Sequence, residues 1–63
     1  MEVMFWVYTN NGIKIGEFGV AGIDWSTEAG QAYSEQMIAK TLYLWCVNQE
    51  LDPQQYNCCV AGK

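Results

Sequence analysis

The chain contains no histidine and no arginine, and its only bases are Lys14, Lys40 and Lys63. Histidine is the usual general base near neutral pH, so its absence removes the commonest equipment for acid–base catalysis. It also leaves Cys46, Cys58 and Cys59 with no imidazole to activate a thiol. The shortage of bases argues against nucleic acid, because a chain of net charge −4 is repelled by phosphates. No glycine-rich phosphate loop offsets this. Gly16-Glu17-Phe18-Gly19 places a carboxylate where a phosphate would sit, and it opens no helix. Long apolar runs are missing as well, and none approaches the roughly 20 residues that cross a bilayer. The apolar stretch from Val3 to Tyr8 is too short for a signal-peptide core and has no base before it, so a cytoplasmic location is expected. An odd number of cysteines, three, agrees with that compartment, since it closes no disulfide framework.

The remaining polar groups build no obvious chemistry. Glu17, Asp24 and Glu28 are separated by the turn into a helix, and no spacing pairs them on one face. Three thiols have the softness to hold zinc, but neighbours in a strand point to opposite faces, so Cys58 and Cys59 would not converge on one ion. No catalytic, cofactor or metal site is expected, and the protein is expected not to be an enzyme. The acids Glu2, Glu17, Asp24, Glu28, Glu35, Glu50 and Asp52 are scattered, as on a solvated surface.

What the chain has is apolar and aromatic surface. Its 63 residues, 51% hydrophobic, make one small domain spanning 1–63. Domains of this size bury only about 60% of their unfolded surface and are marginal alone. Glu2 to Thr9, rich in Val, Phe, Trp and Tyr, reads as a strand. Asn10-Asn11-Gly12 follows, and Asn-Gly signals a two-residue type I′ hairpin turn. Ile13 to Val20 is then the second strand, where Gly16 and Gly19 signal a bulge or a close backbone approach. With Asn11 and Gly12 as the loop, Asn10 faces Ile13, Tyr8 faces Ile15, Phe5 faces Phe18 and Val3 faces Val20. One sheet face carries Val3, Phe5, Val7, Phe18 and Val20. The other carries Met4, Trp6, Tyr8, Ile13 and Ile15, with Glu17 opposite Trp6.

A helix is predicted from about Ser26 to Asn48, capped by Asp24 or Ser26 and weakened in its first turns by Gly30. Its first two turns turn Glu28, Gln31, Ser34 and Glu35 outward. Helical spacing then gives two apolar stripes. One is Ala29, Tyr33, Met37, Leu44, Val47 and Leu51. The opposite one is Ile38, Leu42 and Trp45, flanked by Ala39 and Cys46. Pro53 ends the connection. Gln54 to Val60 reads as a third strand with Tyr56, Cys58 and Val60 on one face. The expected fold is α+β: a three-stranded, mainly antiparallel sheet with one helix on one face, in the order β-β-α-β, the first strand central.

One helix covers one sheet face, so the pattern leaves two apolar surfaces spare, centred on Trp6/Tyr8 and on Ile38/Leu42/Trp45. Large exposed apolar patches on soluble proteins mark interaction sites, and Trp and Tyr dominate binding hot spots. The expected partner-binding residues are therefore Met4, Trp6, Tyr8, Ile15, Ile38, Leu42 and Trp45, with Glu17 and Glu35 as rim charges toward a basic partner. Burial of one patch between copies, as a homo-oligomer, is the competing expectation.

The segments MEVMFWVY, NNG, MIAKTLYLWCV and QQYNCCV, taken with size, acidity and layout, resemble small phage-encoded proteins that block host machinery. These include anti-CRISPR proteins, phage antitoxins against RNA-cleaving toxins and phage inhibitors of host RNA polymerase. The resemblance implies stoichiometric inhibition, without turnover, of a bacterial defence or regulatory protein, such as a nucleic-acid-binding effector or its complex. The alternative function is a homo-oligomer that is structural or sequesters a small ligand.

Overall fold

The computed structural model describes residues 2–62. Strands β1 (Glu2–Thr9) and β2 (Lys14–Ala21) form a hairpin; helix α1 (Glu28–Asn48) follows; a 3-10 turn (Pro53–Gln55) leads into β3 (Tyr56–Val60). The sheet order is β2-β1-β3 with both pairings antiparallel, so β1 is central as the sequence implied. The fold is α+β, in the order β-β-α-β.

The hairpin keeps the expected register through the core and loses it near the turn. Val3↔Val20, Phe5↔Phe18 and Trp6↔Glu17 pair as the sequence predicts. Tyr8, however, pairs with Lys14 rather than Ile15, because the register shifts between Val7 and Tyr8. A type I′ turn needs positive φ at both Asn11 and Gly12, and only Gly12 adopts it, at 84°. The loop instead has three residues, Asn10 to Gly12. It is closed by Gly12 N–H donating to the Thr9 carbonyl and Thr9 N–H donating to the Ile13 carbonyl, both at 2.9 Å. The Thr9 hydroxyl oxygen holds it from inside, accepting from the Asn11 and Ile13 amides. The extra residue is absorbed by a bulge at Ile15, which restores Val7↔Gly16 and everything beyond.

The core lies between the sheet and α1. Phe5, Val7, Phe18, Val20 and Ile23 form its centre, and the Phe5 and Phe18 rings stack across the strands at 5.6 Å. Ile38, Leu42 and Trp45 from α1 pack against this cluster, joined by Tyr56, Cys58 and Val60 from β3. The three β3 residues share one face, as their alternation requires.

The helix starts and stops by side-chain and backbone devices. Its N-cap is Thr27, whose hydroxyl oxygen accepts from Gly30 N–H at 2.9 Å. Asp24, expected to cap the helix, instead accepts from the Ser26 amide and hydroxyl in the preceding loop. Ser34, expected to face solvent, is fully buried and receives the Asp24 amide at 3.0 Å. The loop lies so close to the helix that a Cβ on Gly30 would sit 2.7 Å from the Asp24 carbonyl oxygen. At the other end, Leu51 N–H donates to the Cys46 carbonyl and Glu50 N–H to the Val47 carbonyl. This is a Schellman ending, normally completed by glycine in the left-handed region. Here Glu50 occupies that position at φ 60°. Since such a conformation costs a non-glycine residue about 1 kcal/mol, Glu50→Gly is expected to stabilise the protein by about that much. Thermal or urea unfolding of the variant checks it; an unchanged midpoint would show that the ending carries no strain.

Candidate interaction surface

The face of the sheet turned away from α1 has no cover among the described residues. β1, being central, puts Met4, Trp6 and Tyr8 along its middle. β2 adds Glu17 opposite Trp6 and Lys14 opposite Tyr8; β3 adds Cys59 beside Trp6 and Asn57 beside Tyr8. The bulge substitutes Lys14 for the Ile15 expected on this face, and Lys14 Nζ stands 4.4 Å from the Trp6 ring centroid. That contact is a cation–π interaction, which favours Trp above other rings. Ile15 and Ile13 remain exposed at the hairpin end. Trp6 and Tyr8 are half-buried by these neighbours rather than fully exposed, while Met4 is 40% exposed.

The electrostatics of the face are mild. Desolvation, with Cys59 beside it, raises the Tyr8 phenol above its ordinary pKa, so Tyr8 stays a neutral donor. On the opposite face, burial pushes the Cys58 thiol up, as it does that of the fully buried Cys46. Both therefore behave as apolar filler. Cys58 and Cys59 point to opposite sides of β3, and the described residues contain no cluster of metal-ligating side chains and no pocket. In the β2–α1 loop, the Ser26 hydroxyl and amide hold the Asp24 carboxyl below its usual range.

Of the expected partner-binding residues, Met4, Trp6, Tyr8 and Glu17 lie on this one face. Ile38, Leu42 and Trp45 do not form a second exposed patch; they are the stripe that faces the sheet. Glu35 lies on α1, in the opposite layer from Glu17, so the two carboxylates cannot rim a common surface. The exposed side of the helix carries Tyr33, Leu44 and Val47 of the other stripe at 55%, 49% and 48% exposure, with Tyr43 beside them at 56%, whereas Met37 of that stripe packs against the core. The sequence carried the signal that separates the two. Lys40 and Gln36 interrupt the Tyr33–Leu44–Val47 side, whereas the Ile38–Leu42–Trp45 side carries no charge along its centre.

No protein-family model matches the chain, and no curated protein and no solved structure matches it at a significant level. Among the described residues, no helix is long and apolar enough to cross a membrane.

Proposed function

We propose that this chain is a small acidic inhibitor of the phage-encoded, anti-defence kind, which acts in the cytoplasm by covering a surface of a bacterial defence or regulatory protein. The observation that supports it is the uncovered sheet face, with Met4, Trp6 and Tyr8 on the central strand of the sheet. Aromatic side chains on a rigid platform lose little entropy on binding and make strong anchors. Glu17, exposed beside Trp6, favours a partner with a basic rim. Binding by occupation needs no catalytic group, in keeping with the absence of histidine and the scattered carboxylates.

The test is a tagged capture from bacterial lysate, followed by affinity measurement on any protein recovered in stoichiometric amount. Trp6→Ala is expected to weaken that complex by at least about 2 kcal/mol, roughly 30-fold, while the fold survives. Leu44→Glu, on the far layer, should leave the complex intact. Undiminished affinity of Trp6→Ala would move the contact off the sheet face. Loss of its fold would make Trp6 a structural residue held by Lys14 rather than an anchor.

A further inference from the structure

β3 is an edge of the sheet, and it is unfinished in two ways at once. The first is its backbone. Ala61 N–H donates to the Met4 carbonyl at 2.9 Å, which sets the phase of the β1–β3 ladder. Alternate residues of an antiparallel strand bond to a given neighbour, so Asn57 and Cys59 bond inward, opposite Tyr8 and Trp6. The Tyr56 carbonyl, the Cys58 amide and carbonyl and the Val60 amide point to the open side. Among the described residues, no hydrogen bond reaches these four groups. The second is its helix-side face. Phe5, Val7, Phe18 and Val20 on β1 and β2 are buried there, under α1, whose Trp45 indole lies on Gly16. Tyr56, Cys58 and Val60 continue the same face and are only half-buried. Water satisfies the free backbone groups but not the apolar row beside them.

The other edge shows how this chain guards a strand. β2 carries Lys14, Glu17 and the bulge at Ile15, all of which discourage edge-to-edge pairing. β3 carries no charge, no proline and no bulge. What fits it is an uncharged extended strand, with an apolar row toward the helix and small side chains on the other side. In this chain β3 has that pattern, with Tyr56, Cys58 and Val60 on one side and Asn57 and Cys59 on the other.

We infer that β3 pairs antiparallel with β3 of a second copy, about a twofold axis at Cys58. This register bonds all four free groups: Cys58 amide to Cys58 carbonyl and Val60 amide to Tyr56 carbonyl, each in both directions. It sets Tyr56 beside Val60 of the other copy on the helix side, an aromatic and β-branched pair of the kind that stabilises sheets. The two half-covered rows become one apolar strip between two helices. The result is a six-stranded sheet with the guarded β2 edges at its ends, so pairing stops at two copies. Both Met4–Trp6–Tyr8 rows lie on the same side of it, their strands about 14 Å apart. A five-residue seam is about 17 Å long, at the low end for protein contacts, so the dimer is weak and reversible.

The test is amide hydrogen exchange of the full chain, read residue by residue by NMR at about 20 μM and about 1 mM, a range that spans weak complexes. The Asn57 and Cys59 amides, held by β1, should be protected alike at both concentrations. The Cys58 and Val60 amides should exchange freely when dilute and about fivefold more slowly when concentrated. Register is read by oxidation with diamide. Position 57 and Cys59 of the other copy form a non-hydrogen-bonded pair with Cα atoms about 4.5 Å apart, within disulfide reach. Asn57→Cys should therefore cross-link as a dimer through Cys59, whereas Tyr43→Cys, on the helix, should not. Free exchange of Cys58 and Val60 at both concentrations, or equal protection at both, would overturn the pairing. So would sedimentation beyond a dimer, or equal cross-linking at positions 57 and 43. None of these results bears on capture of a partner by the Trp6 face, which is read separately.

Discussion

Trp45→Ala is expected to lower the melting temperature by on the order of 15 °C, or to unfold the protein at room temperature. A truncated core aromatic costs about 3 kcal/mol or more, and each kcal/mol shifts the midpoint of so small a domain by about 4–8 °C. A 63-residue domain has only about 3–9 kcal/mol to lose. The reason lies in a pairing the strand pattern alone does not show. Gly16 is opposite Val7 on the covered face, and the Trp45 indole lies directly on it. A Cβ at position 16 would come within 2.7 Å of the ring carbon Cη2. Gly16→Ala is therefore expected to destabilise by about 1–3 kcal/mol through overpacking. In a Trp45→Ala background the same change should cost little, since alanine suits a strand better than glycine once the ring is gone. That strong non-additivity in a double-mutant cycle is the signature of direct contact. Additive effects, or a Trp45→Ala protein of unchanged stability that loses a binding partner, would return Trp45 to the role of an exposed anchor.

The indole on Gly16 also explains which parts of the fold were legible in the sequence. The glycine was readable as a close approach or a bulge, and both occur, at Gly16 and at its neighbour Ile15. What covers it did not follow from period alone, because both helix stripes are apolar; only the interruption of the Tyr33 side by Gln36 and Lys40 ranks them. The hairpin shows the same division. Alternation of apolar side chains from Val3 to Val7 fixed their faces, since a one-residue slip would expose all of Phe5, Val7 and Phe18. The loop length was not fixed by Asn-Gly, because Thr9 supplies a hydroxyl that closes a three-residue loop and the bulge absorbs the difference. For the candidate surface, Met4, Trp6, Tyr8 and Glu17 were found by alternation. Lys14 was missed, because only the bulge brings it over Trp6.

Ser34→Ala is expected to destabilise the protein by about 1–3 kcal/mol, a large effect for removing one oxygen from a helix. In an exposed helical position, the change would be neutral or favourable, since alanine is the better helix former. Ser34 is instead the one buried polar residue among those described. Its hydroxyl accepts from the Asp24 amide and lies 3.4 Å from the Asp24 carbonyl oxygen. Alanine would leave that amide without its partner beneath the loop. The same loop is held by the Gln31 side-chain amide donating to the Trp25 carbonyl at 3.0 Å and by the close fit of Gly30. Loosening should therefore be local first. Amide exchange at Asp24 should accelerate before any global change, and the exposed Trp25 should report the movement by fluorescence. A larger residue such as Ser34→Val removes the same hydrogen bond and adds volume, so it should cost at least as much. If Ser34→Ala melts at the wild-type temperature with Asp24 still protected, the loop is held by Gly30 packing and Gln31 alone, and the buried hydroxyl contributes nothing to how β2 is joined to α1.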